Sequence, residues 1–275
     1  MGAILWLASY PKSGNTWLRA FLANLLADRP EPLPLAALPA YCDDEARPER
    51  FTAFAGRPST ELSIGEICAL RPRVHAAIAA SVDGTVLVKT HNCAGAYDGH
   101  PLHNPAVTAG SIYVVRNPLD VVVSMTHHFG LSVDAAIDWL ASNDAATAND
   151  GLFVSQVLGS WTTHVASWTA AARPADLVLR YEDLLDRPVE QFARVARLVG
   201  LGGDAQRISR AVRHASFDTL AAMEQRDGFV EASPRSAGFF RQGAAQQWRG
   251  VLNPAQVQRV IGTHREQMQR LGYLP

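Results

Sequence analysis

Four short runs along the chain are apolar almost without a break: AILWLAS at 3–9, TVLVKT at 85–90, SIYVVR at 111–116 and DLVLRY at 176–181. They lack the alternation of a half-exposed strand, so they predict strands covered on both faces. Between them, apolar residues recur at helical spacing over 16–27, 118–128, 133–142, 152–171 and 188–200. Strand, helix, strand in this rhythm predicts an α/β fold with a central, mostly parallel β-sheet flanked by helices. There is no internal repeat and no convincing linker, so the 275 residues, 48% of them hydrophobic, are read as one domain over 1–275.

Two stretches interrupt the rhythm. The Pro-rich segment from Pro30 to Pro58, carrying Asp43, Asp44 and Glu45, predicts an irregular excursion over one sheet edge, with CDDEA at 42–46 an exposed turn. The stretch QRDGFVEASPRSAG at 225–238 predicts a mobile loop. His100 and His103, set among Pro101, Asn104 and Pro105, predict a solvated loop more than a metal site, and no other ligand cluster stands out, so no metal is expected. Trp139, Trp161 and Trp168 sit in helical patterns and predict core or groove lining.

Composition narrows the function by exclusion. With 25 basic against 26 acidic residues there is no general field for nucleic acid or anionic membrane, so anion binding has to be local. Three cysteines at irregular spacing suggest neither a disulfide framework nor a zinc site and fit a reducing compartment. The apolar start at Ile4 to Ala8 has no basic region before it and is too short for a signal core, and no later run reaches about 18 apolar residues. A soluble, cytoplasmic protein is the expectation.

In open parallel sheets, ligands collect beyond the carboxyl ends of the strands, which directs attention to Lys12, His91, Arg116 and Tyr181. The first strand runs into YPKSGNTW and then a helix. Such a loop points unpaired N–H groups and the positive end of the helix dipole at one spot, which favours phosphate. Lys12 adds a charge, Ser13, Asn15 and Thr16 add hydrogen-bonding groups, and Gly14 admits close backbone approach. Its lysine precedes its glycine, so the loop is not the Walker pattern, GxxxxGK followed by Ser or Thr. Taken alone, it reads equally as a capped turn with Lys12 in solvent.

The other strand ends carry similar pairs of readings. VLVKTHN brings His91, a base suited to neutral pH, to the sheet mouth, with Lys89 on its face by alternation. VVRNPLDVVVSM offers Arg116 and the Ser124 hydroxyl to a phosphate, or an ion pair from Arg116 to Asp120. LRYEDL offers Tyr181 as a flat ring. GFFRQGAAQQWRG sets Arg241, Gln242 and Gly243 in a loop anchored by Phe239 and Phe240.

Together, and in this chain order, YPKSGNTW, VKTHN, VVRNPLDVVVS, RYEDL and FFRQGAAQQW resemble the motifs of sulfotransferases that use 3′-phosphoadenosine-5′-phosphosulfate, PAPS. The resemblance spans residues 3 to about 250. It implies the P-loop-like sulfotransferase fold and transfer of the sulfuryl group to an acceptor hydroxyl, or less readily an amine, with adenosine 3′,5′-bisphosphate (PAP) released. It also implies that Lys12, Ser13, Gly14, Asn15, Thr16 and Trp17 hold the 5′-phosphate, with Trp17 against adenine. Arg116, Ser124, Arg241, Gln242 and Gly243 would hold the 3′-phosphate. Tyr181 and Phe217 would complete the adenine pocket, His91 would be the base, and Lys12 and Lys89 would serve the transfer and acceptor sides.

The chain departs from the family at Asn15, often threonine, and in its version of RKGxxGxW, where Gln242 replaces lysine and Gln246 the second glycine. RGVLNPAQVQ after Trp248 does not match KxxxTVxxxE, so a homodimer through that segment is not expected. The style is similar to bacterial tailoring sulfotransferases, which implies a small-molecule or natural-product acceptor. The competing readings are a P-loop-like nucleotide kinase and a nucleotide-binding module without catalysis.

Overall fold

The computed structural model describes residues 2–170, 175–233, 236 and 238–274. Strand β1 (Ala3–Ser9) leads into helix α1 (Asn15–Ala27), followed by α2 (Leu38–Tyr41), β2 (Asp43–Asp44), α3 (Pro48–Ala55) and α4 (Ile64–Ala80). Strand β3 (Thr85–Thr90) comes next, then the short antiparallel pair β4 (Ala96–Tyr97) and β5 (His100–Pro101), and the long strand β6 (Thr108–Val115). Helices α5 (Pro118–Phe129), α6 (Val133–Ala141) and α7 (Trp161–Thr169) precede β7 (Asp176–Arg180). The chain closes with α8 (Tyr181–Asp186), α9 (Pro188–Leu198), α10 (Ala205–His214), α11 (Phe217–Asp227) and α12 (Pro254–Arg270).

The main sheet has five strands in the order β2-β3-β1-β6-β7, and every pairing in it is parallel. Its four longer strands fall on the four apolar runs, because each buries both faces. In β1, Ile4, Trp6 and Ala8 pack into one cluster with residues of α4, α5, α6, α7 and α12, while Leu5 and Leu7 pack into another with residues of α1, α9 and α10. Parallel strands joined by crossover helices leave no face for water, so the alternation is between two cores and not between core and solvent.

The structure corrects three expectations. The predicted helix over 152–171, whose last residue lies outside the described residues, is helical over 152–170 only from Trp161 to Thr169; before it the Asp150 carboxylate caps a turn by accepting from the N–H groups of Leu152 and Phe153, and Ser160 supplies the N-cap. The Pro30 to Pro58 excursion holds α2, α3 and the edge strand β2, which pairs with β3 through Asp43↔Val88 and Asp44↔Lys89. CDDEA is therefore no exposed turn: Glu45 is completely buried. His103 is likewise no loop residue in solvent, since its ring lies edge-on to both Trp6 and Trp168, with centroids 4.6 and 4.8 Å away. Trp161 and Trp168 are buried as expected. Among the described residues no helix is long and apolar enough to cross a membrane.

Candidate active site

The carboxyl ends of β1, β3 and β6 open on one side of the sheet, where the loops after them meet the segment that follows α11. The first loop turns sharply. Lys12 has φ 68° and Gly14 φ 106°, and a Cβ on Gly14 would stand 2.8 Å from Cδ2 of Tyr181. Glycine is thus required twice over, for the left-handed backbone and for the ring packed against it. Asn15 spends its side chain on shape: its amide donates to the Leu7 carbonyl at 2.8 Å. That bond ties the side chain into the fold behind the loop and uses one of its two amide N–H donors. Ser13 is fully buried, yet its hydroxyl has no partner. Thr16 accepts a hydrogen bond from Arg19 at 3.0 Å.

Lys12 extends over the Phe239 ring, 4.0 Å from its centroid. Burial, followed by the nearby Arg116 charge, pulls its pKa down to about 7. Lys12, Ser124, His127, His128, Phe239 and Arg241 line a small open cleft. Arg116 leaves β6 beneath this cleft and is 7% exposed. Its guanidinium donates to the carbonyls of Lys12 (3.2 Å) and Ala244 (3.1 Å), lies over the Tyr181 ring at 4.4 Å, and keeps a buried Nε without a partner.

The alternative of an Arg116 to Asp120 ion pair is not what forms. Asp120 instead accepts from the backbone N–H groups of Gln246 (2.7 Å) and Trp248 (3.1 Å), which pins the C-terminal loop across the cleft. Gln246, standing where the motif has its second glycine, adopts φ 59° all the same. Gly243 presses on Phe217: a Cβ there would fall 2.3 Å from the ring. Trp17 meets Tyr181 and Phe192 edge-on, at 5.7 and 5.5 Å, with its indole N–H unpartnered. Arg241 and Gln242 are exposed at the cleft rim.

At the end of β3, Nδ1 of His91 is 2.8 Å from the Ser9 carbonyl oxygen. A carbonyl only accepts, so Nδ1 carries the proton and Nε2 is left with its lone pair. Burial, then the Lys89 charge, pushes the pKa of His91 down to about 4, so the ring is neutral at pH 7. Lys89 does not point freely at an acceptor: its ammonium sits 3.0 Å from Asp44 and 3.8 Å from Glu231. Glu231 is also 2.7 Å from Arg19, a guanidinium only 2% exposed. Burial works to raise the pKa of Glu231, but Lys89 and Arg19 overcome it and hold the group near about 2.

Lys12, Ser13, Gly14, Trp17, Arg116, Ser124, Tyr181, Phe217, Arg241 and Gly243 thus converge, with His91 and Lys89 beside them. Sequence reasoning missed Arg19, Asp44 and Glu231. Arg19 left one trace, a lone charge inside the apolar helix WLRAFLANLL; the two acids left none, because they reach the site from segments without periodicity.

A tight lysine-bearing loop after β1, an arginine after β6 and a neutral histidine after β3 suit a group-transfer enzyme. Residues 4–272 match the sulfotransferase domain family, and the chain belongs to it. It is similar to cytosolic sulfotransferase 17 of Arabidopsis thaliana, 26% identical with 98% of this chain and 75% of the relative covered. Sulfotransferase 1A1 of Canis lupus familiaris is 23% identical over 98% of this chain and 84% of its own.

Among solved structures, mouse sulfotransferase SULT7A1 complexed with PAP superposes with a TM-score of 0.63 at 20% identity, covering 97% of this chain and 84% of that one. Retinol dehydratase in complex with androsterone and inactive cofactor PAP gives 0.64 at 19% identity, covering 96% and 80%. These likenesses establish the sulfotransferase fold.

Proposed function

We propose that the protein transfers the sulfuryl group of PAPS to a hydroxyl of a small-molecule or natural-product acceptor. The observation that carries this reading is the pair of basic groups, half-buried Lys12 and buried Arg116, flanked by donors that lack partners among the described residues: the Ser13 hydroxyl, the Trp17 indole N–H and the Arg116 Nε. Buried donors are satisfied in almost all native structures, so a cluster of orphans around a cationic cleft fits a polyanionic ligand. The solved relatives named above carry PAP, which supports the same nucleotide here.

Lys12, Ser13, Gly14, Asn15, Thr16 and Trp17 would hold the 5′ side of the nucleotide. Arg116, Ser124, Arg241, Gln242 and Gly243 would hold the 3′-phosphate, and Tyr181, Phe217 and Trp17 the adenine. PAPS supplies a sulfuryl group already activated by its phosphate leaving group. Nε2 of His91, neutral and unprotonated, takes the acceptor proton, a contribution of about 10²- to 10⁴-fold for a positioned base. Lys12 and the loop N–H groups neutralise charge where the leaving oxygen develops it, which favours the transition state over the ground state. Lys89, held by Asp44, faces the acceptor side.

Calorimetric titration with PAP beside magnesium ATP tests the reading. Tight PAP binding with weak ATP binding is the expected result. ATP bound in preference to PAP would overturn it in favour of a kinase.

A further inference from the structure

The cluster around Glu45 lies outside the nucleotide cleft and takes no part in the chemistry above. Its carboxylate is fully buried and receives four donors. Oε1 accepts from the Thr90 hydroxyl and from the Asn92 amide (2.6 Å); Oε2 accepts from Arg71 (2.7 Å) and from Nε2 of His75 (2.8 Å). Four donors fill the lone-pair sites of an ionised carboxylate. Arg71 and the hydrogen bond from His75 outweigh burial and hold Glu45 well below the usual carboxylate range. Replacing a buried ion pair by apolar residues is often neutral or stabilising, so stability alone does not account for the arrangement.

What the cluster holds is the end of β3. The chain bends after Thr90, where the Asn92 N–H donates to the Thr90 hydroxyl (3.1 Å), so Thr90 and Asn92 both turn to Glu45 while the His91 ring between them goes to the Ser9 carbonyl. Glu45 grips that bend at two points. The grip continues around it: Asn92 accepts from the Val157 N–H (2.7 Å), its carbonyl accepts from the Trp168 indole (3.0 Å), and the backbone of His91 is bound on both sides, its N–H by Gln156 (2.7 Å) and its carbonyl by His164 (3.0 Å). His103 donates to the Thr90 hydroxyl from Nε2 at 3.2 Å, since that hydroxyl has already given its proton to Glu45.

We propose that Glu45 is a positioning residue for the reaction: by fixing Thr90 and Asn92 from behind, it keeps Nδ1 of His91 on the Ser9 carbonyl and presents Nε2 to the acceptor. The inference rests on His91 being the base. It assigns to an acid in an unpatterned segment the selection of one tautomer and one ring orientation, in the manner of a buried carboxylate that orients a catalytic imidazole, but acting through the backbone and not on the ring.

The test uses the full chain labelled with ¹⁵N-histidine, with His91→Ala to assign the resonances, in wild type, Thr90→Val, Thr90→Ser and Glu45→Gln. Thr90→Val is the decisive variant, because it removes a grip without leaving Arg71 unpaired, as Glu45→Gln does. In wild type His91 is expected as the Nδ1–H tautomer. In Thr90→Val that tautomer gives way to a mixture, PAP affinity stays within about twofold, and turnover of PAPS with 2-naphthol as probe falls at least about tenfold; Thr90→Ser restores both tautomer and turnover. A Thr90→Val protein with the wild-type tautomer overturns the inference, whatever its activity, and so does one in which tautomer and PAP binding are lost together. If wild type fails to turn over PAPS, or His91→Ala turns it over normally, the functional reading falls, while the tautomer comparison still decides the role of Glu45.

Discussion

Glu231 brings a carboxylate oxygen to 2.7 Å from the guanidinium of Arg19 and 3.8 Å from the ammonium of Lys89. The acid belongs to the segment after α11, the arginine to the helix behind the anion loop, and the lysine to the strand that carries His91. One ion triad therefore joins the donor side, the base strand and the segment that covers them. Arg19 is otherwise bonded only to Thr16 among the described side chains, and its Nε has no partner.

Glu231→Gln should consequently destabilise the fold, because it strands a buried charge. Breaking such a pair costs about 3 to 5 kcal/mol, and the lower end applies because Glu231 keeps 18% exposure. Its folded pKa of about 2 lies below the ordinary value, so the contribution is complete above the unfolded pKa and fades as pH falls toward 2. Urea unfolding of wild type and variant should show a wide gap at pH 7 that narrows at pH 3. Equal midpoints at pH 7 would mean that solvent screens the pair.

His91→Ala should lower kcat by about 10²- to 10⁴-fold while leaving PAP affinity within a few-fold, since a base contributes to proton transfer and not to nucleotide binding. Single-turnover assays with PAPS beside PAP titrations separate the two quantities. A variant with normal turnover would pass the role to another group, and His128, also on the cleft, is the next to test.

How much of this was legible in the sequence follows from how each part is made. The four long strands announce themselves because packing against two cores favours apolar residues at successive positions in the middle of each. Edge strand β2 does not, since it is two residues long and both are aspartates. Lys12, Arg116 and His91 were legible because an open parallel sheet delivers ligand groups at strand ends, a rule of topology that needs no contacts. Asn15 shows its limit: the motif marks the position, but only the fold reveals that the amide donates to the Leu7 carbonyl. Glu45 was read as part of a surface turn because an isolated acid in a polar run looks solvated, and its four donors come from two distant places, Arg71 and His75 one turn apart on α4 and Thr90 and Asn92 at the end of β3, which no local pattern links to it.

Lys12 offers a prediction in protons. In the free protein, burial and Arg116 depress its pKa to about 7, so near pH 8 most molecules carry it neutral. A polyanion in the cleft favours the charged form and raises that pKa, so binding takes up a proton above pH 7 and weakens as pH rises further. PAP titrations in buffers of different ionisation enthalpy at pH 8 should show net proton uptake, which Lys12→Met abolishes. Uptake that persists in the variant would place the titrating group elsewhere.

If Arg116 holds the 3′-phosphate, as proposed, it should set the preference for a second phosphate. Its guanidinium donates to the carbonyls of Lys12 and Ala244 and forms no ion pair among the described residues; Glu182 is near enough to feel its charge, and Arg241 adds a like one. A ligand without the 3′-phosphate leaves that repulsion in place, whereas PAP relieves it. A hydrogen bond to a charged group contributes about 1.5 to 3 kcal/mol. Arg116→Ala should therefore weaken PAP by roughly ten- to a hundredfold and adenosine 5′-phosphate by less than about threefold. Parallel titrations of the two nucleotides read the difference directly: equal losses for both would make Arg116 a support for the Lys12 loop and move 3′-phosphate selection to Ser124 and Arg241.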